Sequence, residues 1–450
     1  MAKRYDVVVL GVGNAGMGAA GVTRAGGLSV AMVDYQDPGG TCPLRGCVPK
    51  KVLVAAAQVL HQISLAEKHH IAVEAPKLDW PGLIARERTF VEGVPQMFAD
   101  SLTGRGIDLY RARARFTGNH QVDVGGETLE ASKIVIATGS KPRPLAIPGA
   151  EHMIVSDDIL ESPELPDSIV FVGGGVIALE FAHVYARAGS RVTILEALPR
   201  LLPRLDKDAV AQIHKESERI GIEVLTGVSV DSIAPTDGGL EVCFQHDGQS
   251  HTRRAAKVAN GTGRIADLDG LDLAAGGIEH EGLRIAVDVH MASSSNPDVY
   301  VAGDALWSSP QLSPVASYEG RLVGDNILNG NARTPDYRPI PSAVYSVPAL
   351  ATVGLTEEEA REQGYDVEVK ANDLTDWRSA RTYAETAAYS KILIEAGSGA
   401  ILGAHLVGHG AEESIHIFAL AIKQGLTAAD LGELVPAYPT FISDIKNMMA

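Results

Sequence analysis

Val7-Val8-Val9-Leu10-Gly11-Val12-Gly13-Asn14-Ala15-Gly16 is the stretch that decides the fold. Its four apolar residues read as a buried strand, and Gly11, Gly13 and Gly16 lead into a small-residue helix expected over Met17–Arg24. In that spacing the first glycine permits a tight turn, the second lets backbone approach a pyrophosphate, and the third allows close packing of helix on strand. A second strand, expected over Leu28–Val33, ends in Asp34, where an acid would hold a ribose hydroxyl. GxGxxG alone is weak; strand, glycines, helix, strand and acid in that order specify a dinucleotide site.

The unit recurs. Ile169–Val172 reads as a strand, Gly173-Gly174-Gly175-Val176-Ile177-Ala178 as the phosphate loop with alanine in third place, and Val192–Leu195 as the strand ending in Glu196. Two dinucleotides are implied, and a protein that binds two most often moves a hydride from a nicotinamide to a flavin. Between the copies, Lys133–Ser140 is a short strand closing on Ala137-Thr138-Gly139, and later Val299–Ala302 ends in Gly303-Asp304. Together these suggest that the first domain is interrupted by the second and resumes near residue 270. The first site is then the larger one, suited to FAD.

The chain has 450 residues, 45% hydrophobic and 21% charged, the balance of a globular protein with room for about three domains. Its net charge of -17 argues against a nucleic-acid partner, because affinity for a phosphate backbone comes from clustered Lys and Arg. The most apolar stretch, Ile169–Leu179, holds three glycines and falls short of the roughly 18 residues a membrane span needs. No membrane partner is expected. Met1–Asp6 runs straight into the first strand without the apolar region of a signal peptide, so a cytoplasmic protein is expected.

Gly39-Gly40-Thr41-Cys42-Pro43-Leu44-Arg45-Gly46-Cys47-Val48-Pro49-Lys50-Lys51 follows the first acid. A zinc site would need further Cys or His nearby, and none lies there. Two cysteines entering a helix whose N-terminus favours a thiolate suit a redox-active disulfide. Cys243, in the strand pattern Leu240–Phe244, is expected to be an inert core thiol.

These residues resemble the FAD-dependent pyridine nucleotide-disulfide oxidoreductases, the family of dihydrolipoamide dehydrogenase, glutathione reductase and mercuric reductase. The resemblance covers essentially the whole chain. It implies an α/β fold: two Rossmann-like dinucleotide-binding domains, for FAD and NAD(P), plus an α+β C-terminal dimerisation domain. The expected boundaries are 1–148 and 269–332 for the FAD domain, 149–268 for the NAD(P) domain and 333–450 for the interface domain. For FAD it implies Gly11, Gly13, Asn14, Ala15, Gly16 and Asp34; then Gly40, Thr41, Cys42 and Lys50; then Ala137, Thr138 and Gly139; and finally Gly303, Asp304, Gln311, Leu312, Ser313 and Ala316. For NAD(P) it implies Gly173, Gly175, Val176, Ile177, Glu180, Glu196 and Gly263. NADH is favoured over NADPH, because Glu196 would accept from a free ribose and repel a 2'-phosphate, although Arg200 and Arg204 follow soon after.

The mechanism so implied passes reducing equivalents from NAD(P)H through FAD to the Cys42–Cys47 disulfide and then to a small-molecule or protein-bound disulfide. Cys47 would lie nearer the flavin and Cys42 would attack the substrate, while Lys50 and Glu180 match the family's ion pair. A homodimer is expected. The chain departs from the family near its end. In Val435-Pro436-Ala437-Tyr438-Pro439-Thr440-Phe441-Ile442-Ser443-Asp444, Tyr438 takes the place of the usual histidine and Ser443 that of the glutamate. Free tyrosine titrates near about 10 and histidine near about 6.5, so Tyr438 is a poor general base at neutral pH. His416, in an apolar helix, is expected to be a core histidine. The departure keeps open reduction of a metal ion, as in mercuric reductase, or of a quinone, and a flavoprotein that senses redox state without turnover.

Overall fold

A computed structural model describes residues 2–450. They form two compact units, one of residues 2–50, Ala85–Arg143 and Arg264–Pro335, the other of Lys51–Ile84, Pro144–Gly263 and Asp336–Ala450.

The first unit is built on the strand Lys3–Leu10, which pairs in parallel with Val30–Val33 on one side and Glu127–Ile136 on the other. A strand so flanked is buried on both faces, which is why Val7, Val8 and Val9 form an unbroken apolar run. Asp108–Tyr110 and Val299–Val301 extend the parallel pairing, and Ala114–Gly118 and Gln121–Val124 form an antiparallel meander beyond. The first helix, Asn14–Ala25, starts earlier than expected because the glycine loop itself opens it, with Gly13 as N-cap. It packs on the helix Ser313–Asn329 through small residues: a Cβ on Gly320 would stand 2.0 Å from the Ala15 carbonyl oxygen.

The second unit holds a parallel sheet of Glu223–Thr226, Arg191–Glu196, Ser168–Val172 and Lys257–Asn260, in that order. A three-stranded antiparallel sheet covers Ser229–Ala255. A five-stranded antiparallel sheet runs Ser342–Val344, Ala349–Gly354, Ile401–Gly408, Tyr389–Glu395, Val367–Asp373. The helix Ala411–Gln424 turns Ile415, Phe418 and Ala419 inward. His416 is exposed, not a core residue, because it falls off the i, i+3, i+4 face those residues define. Cys243 is likewise only half-buried: strand alternation sends Val242 and Phe244 into the core and Cys243 to the other face. Among the described residues no helix is long and apolar enough to cross a membrane.

Lys391 has a fully buried side chain, and its ammonium meets Asp206 at 2.8 Å, Asp208 at 2.6 Å and Glu357 at 2.8 Å. Burying that charge is tolerable only because the carboxylates surround it, and the carboxylates in turn depend on it. Lys391→Met should therefore destabilise the protein by about 3–5 kcal/mol, read as a lower midpoint in urea denaturation. A midpoint unchanged from wild type would show that the cluster contributes no net stability.

Candidate functional site

The two glycine loops are built alike. Gly11 lies at φ +111° and a Cβ there would stand 2.2 Å from the Ala137 carbonyl oxygen; Gly173 lies at φ +99°, with the Gly261 oxygen 2.5 Å from the equivalent position. In each, the next residue donates its amide to the acid at the end of the second strand: Val12 to Asp34 at 2.8 Å, Gly174 to Glu196 at 2.5 Å. The other carboxylate oxygen takes the amide two residues on, from Gln36 at 2.9 Å and Leu198 at 2.8 Å. Each acid is thus fixed by its own turn.

In the first unit the loop is closed over by Gly40, where a Cβ would meet Gly13 Cα at 2.6 Å. Asn14 donates to Ser313, at the start of its helix. Gly303, at φ +68°, is pinned by its amide to the buried Glu319 carboxylate at 2.7 Å, and a Cβ there would crowd those of Ala15 and Ala316. Asp304 accepts from Ser140 Oγ at 2.8 Å, and Ser140 in turn is held by Arg264 at 2.9 Å. Burial pushes the Asp304 carboxyl up, opposed by the Ser140 hydroxyl and the Arg264 guanidinium. The buried Thr138 hydroxyl has no partner among the described residues. Loops that exclude a Cβ and an orphaned buried hydroxyl fit a dinucleotide lying across this face. Gln311 is exposed, and Leu312 is the extended residue that precedes the helix. Glu319, Ser140 and Arg264 complete this network: the motifs around Gly303, Gly139 and Gly263 contain them, but their contacts with one another are made only in the fold.

Cys42 sits in the short helix Thr41–Arg45, and Cys47 opens the helix Cys47–Ser64 after a break at Gly46. Cys42 is half-buried and Cys47 exposed. A hydrogen bond from the Cys47 thiol brings Cys42 down to about 6, helped by the Ser313 hydroxyl, the Cys47 amide and the Lys50 charge, and opposed by burial. The same hydrogen bond and the Cys42 charge push Cys47 up. The hydrogen bond therefore favours charge on Cys42 over Cys47.

In the second unit, Gly175 caps the helix Val176–Ala188, Val176 is exposed and Ile177 partly buried. Glu180, one turn on, is buried and accepts the Tyr345 amide at 2.8 Å. Gly263 is exposed at φ +99°. Tyr438 is 67% exposed and its hydroxyl accepts from Arg378 at 2.8 Å, while Thr440 caps the turn that holds Ser443, its hydroxyl accepting the Ser443 amide at 3.2 Å.

Two nucleotide-shaped loops and a cysteine pair sharing one thiolate define a flavoprotein disulfide reductase. The comparisons agree: the chain belongs to the family described as pyridine nucleotide-disulphide oxidoreductase, which matches residues 5–320, with its dimerisation domain matching 340–449. It is 31% identical to glutathione reductase of Burkholderia cepacia, over 99% of this chain and 98% of that one. It is 34% identical to dihydrolipoyl dehydrogenase of Thermus scotoductus, over 97% and 95%. Among solved structures it resembles the Cu(II) complex of the HOCl-induced flavoprotein disulfide reductase RclA from Escherichia coli, with TM-score 0.89 and 27% identity over 100% and 99% of the two chains. The protein is an FAD-dependent oxidoreductase that uses a pyridine nucleotide and acts on a sulfur group.

The lowered Cys42 value sets a pH dependence. A depressed thiol is thiolate above its own pKa, so alkylation of the reduced enzyme by iodoacetamide should rise through pH about 6 and be lost as pH falls below it. Cys47→Ala removes the donor and should move the rise upward, toward the roughly 8.5 of a free thiol. A rise in the wild type near that free value would refute the shared thiolate.

Proposed function

We propose that this protein is a homodimeric, NADH-dependent reductase of a disulfide substrate, with Cys42 and Cys47 as its redox-active pair. The observation that carries the reading is the placement of Cys42 and Cys47 thiol to thiol across the break at Gly46, where the hydrogen bond from Cys47 favours charge on Cys42. A thiolate is the attacking form in disulfide exchange, and a neighbouring thiol is the resolving group.

The residues around Gly11–Gly16, with Asp34, Gly40, Thr41, Ala137–Gly139, Gly303, Asp304 and Ser313, would hold FAD; Gly173–Ile177 and Glu196 would hold the pyridine nucleotide. When bound, FAD supplies two-electron transfer between the nucleotide and the cysteine pair. Cys42 attacks the substrate disulfide, and Cys47 resolves the mixed disulfide. Lys50, in the first turn after Cys47, supplies positive charge that favours the thiolate. Glu180 is the buried acid of the nucleotide helix, proposed to balance a lysine.

The preference for NADH rests on two contacts. Glu196, the acid that would meet the ribose, is buried with its carboxylate fixed by two amides. Arg200, one of two cations near enough in sequence to favour a 2'-phosphate, is turned onto the carbonyls of Leu202, Leu205 and Pro203. That guanidinium caps its own loop.

In anaerobic titration the holoenzyme should consume two equivalents of NADH per FAD, and Cys47→Ser only one; a single equivalent in the wild type would remove the cysteine pair from the reaction. In steady state kcat/KM should favour NADH over NADPH by at least about tenfold, a difference of about 1.4 kcal/mol. Equal values would refute the role given to Glu196.

A further inference from the structure

We infer that the enzyme takes a small disulfide with an anionic arm, received by Arg105 and Arg321 in a cleft beside Cys42, an inference that deepens the disulfide-reducing reading and rests on it. The cleft has a volume of about 420 Å³ and lies among three helices of the first unit, Asn14–Ala25, Val94–Gly104 and Ser313–Asn329. A few hundred cubic ångströms suit a small molecule rather than a folded partner. Asn14, Phe98 and Ser317 line it together with the two arginines.

The cleft adjoins the cysteine pair. Gly40, two residues before Cys42, packs on Gly13, the neighbour of Asn14: a Cβ at Gly40 would stand 2.6 Å from Gly13 Cα. Asn14 donates to the Ser313 hydroxyl, and that hydroxyl is hydrogen-bonded to Cys42. Ser317 follows Ser313 by one helical turn, on the same face. Asn14 and Ser317 therefore belong both to the cleft and to the surroundings of the attacking sulfur.

Glycines let both cations in. Gly18 and Gly21 sit in the interior of the first helix, where glycine is destabilising and calls for a reason. A Cβ at Gly18 would stand 3.0 Å from the Arg321 amide nitrogen, and one at Gly21 would stand 3.2 Å from Arg105 Nη1. Arg105 is the C-cap of the helix Val94–Gly104, and Arg24 Nε donates to its carbonyl at 2.8 Å, so the guanidinium is presented from a fixed turn. Among the described residues neither guanidinium meets a carboxylate; Asp325, one turn beyond Arg321, is paired with Arg333. In a chain of net charge -17, two cations left unpaired at one cleft make a local positive field that draws an anion to it. A guanidinium then holds that anion by charge-assisted hydrogen bonds.

The test follows reoxidation of pre-reduced holoenzyme by three disulfides with the same two-carbon arms: 3,3'-dithiodipropionate, which is anionic, bis(2-hydroxyethyl) disulfide, which is neutral, and cystamine, which is cationic. The second-order rate constant should fall in that order, with the anion at least about tenfold above the neutral disulfide at low salt. Added salt should narrow the gap. Arg105→Gln and Arg321→Gln should each lower the anion-to-neutral ratio by about tenfold, through weaker apparent affinity rather than a lower limiting rate. Arg105→Lys should keep part of the ratio, which a merely structural role for Arg105 would not predict. Equal constants for the three disulfides, or a ratio that both glutamine variants leave untouched, would overturn the inference, while reduction of the neutral disulfide upheld the disulfide-reducing reading. Holoenzyme inert to all three would instead sink that reading, and this inference with it.

Discussion

At the end of the first strand the chain must turn beneath the carbonyl of Ala137, with 2.2 Å between that oxygen and any Cβ at residue 11. Only glycine passes. The turn then delivers the Val12 amide to Asp34 and opens the helix at Asn14, so one steric limit sets the loop, the acid and the helix origin together. Gly173 meets the same limit under Gly261, with the same consequence at Glu196. Each nucleotide site is therefore a by-product of how parallel strands end.

The chemistry sits where that frame leaves groups close together. Cys42 and Cys47 share a proton, with Ser313 and Lys50 supporting the charge on Cys42. The same frame brings Arg105 and Arg321 to the glycine face of the first helix, beside that pair.

Much of this was legible in the sequence because it is local. Gly11, Gly13 and Gly16, the Cys42–Cys47 spacing and Gly303-Asp304 each express a turn within a few residues. What could not be read depends on distant pairing: Ser140 meets Asp304 and Arg264, and Arg105 meets Gly21, only after segments far apart in the chain come together. His416 and Cys243 were misread for another reason. Both have apolar neighbours, but the period of the helix and of the strand sends them to the outer face.

The shared proton of the cysteine pair also fixes how its driving force behaves. Where the reduced pair holds one proton and one charge, as the bond that favours charge on Cys42 promotes, its reduction consumes two electrons and a single proton. Its midpoint potential then falls by about 30 mV per pH unit. The nicotinamide couple also takes up two electrons and one proton, and falls at the same rate. The difference between donor and acceptor is thereby independent of pH across the neutral range, and the pair is reduced with the same thermodynamic push however the surroundings acidify, down to the point where Cys42 itself becomes protonated.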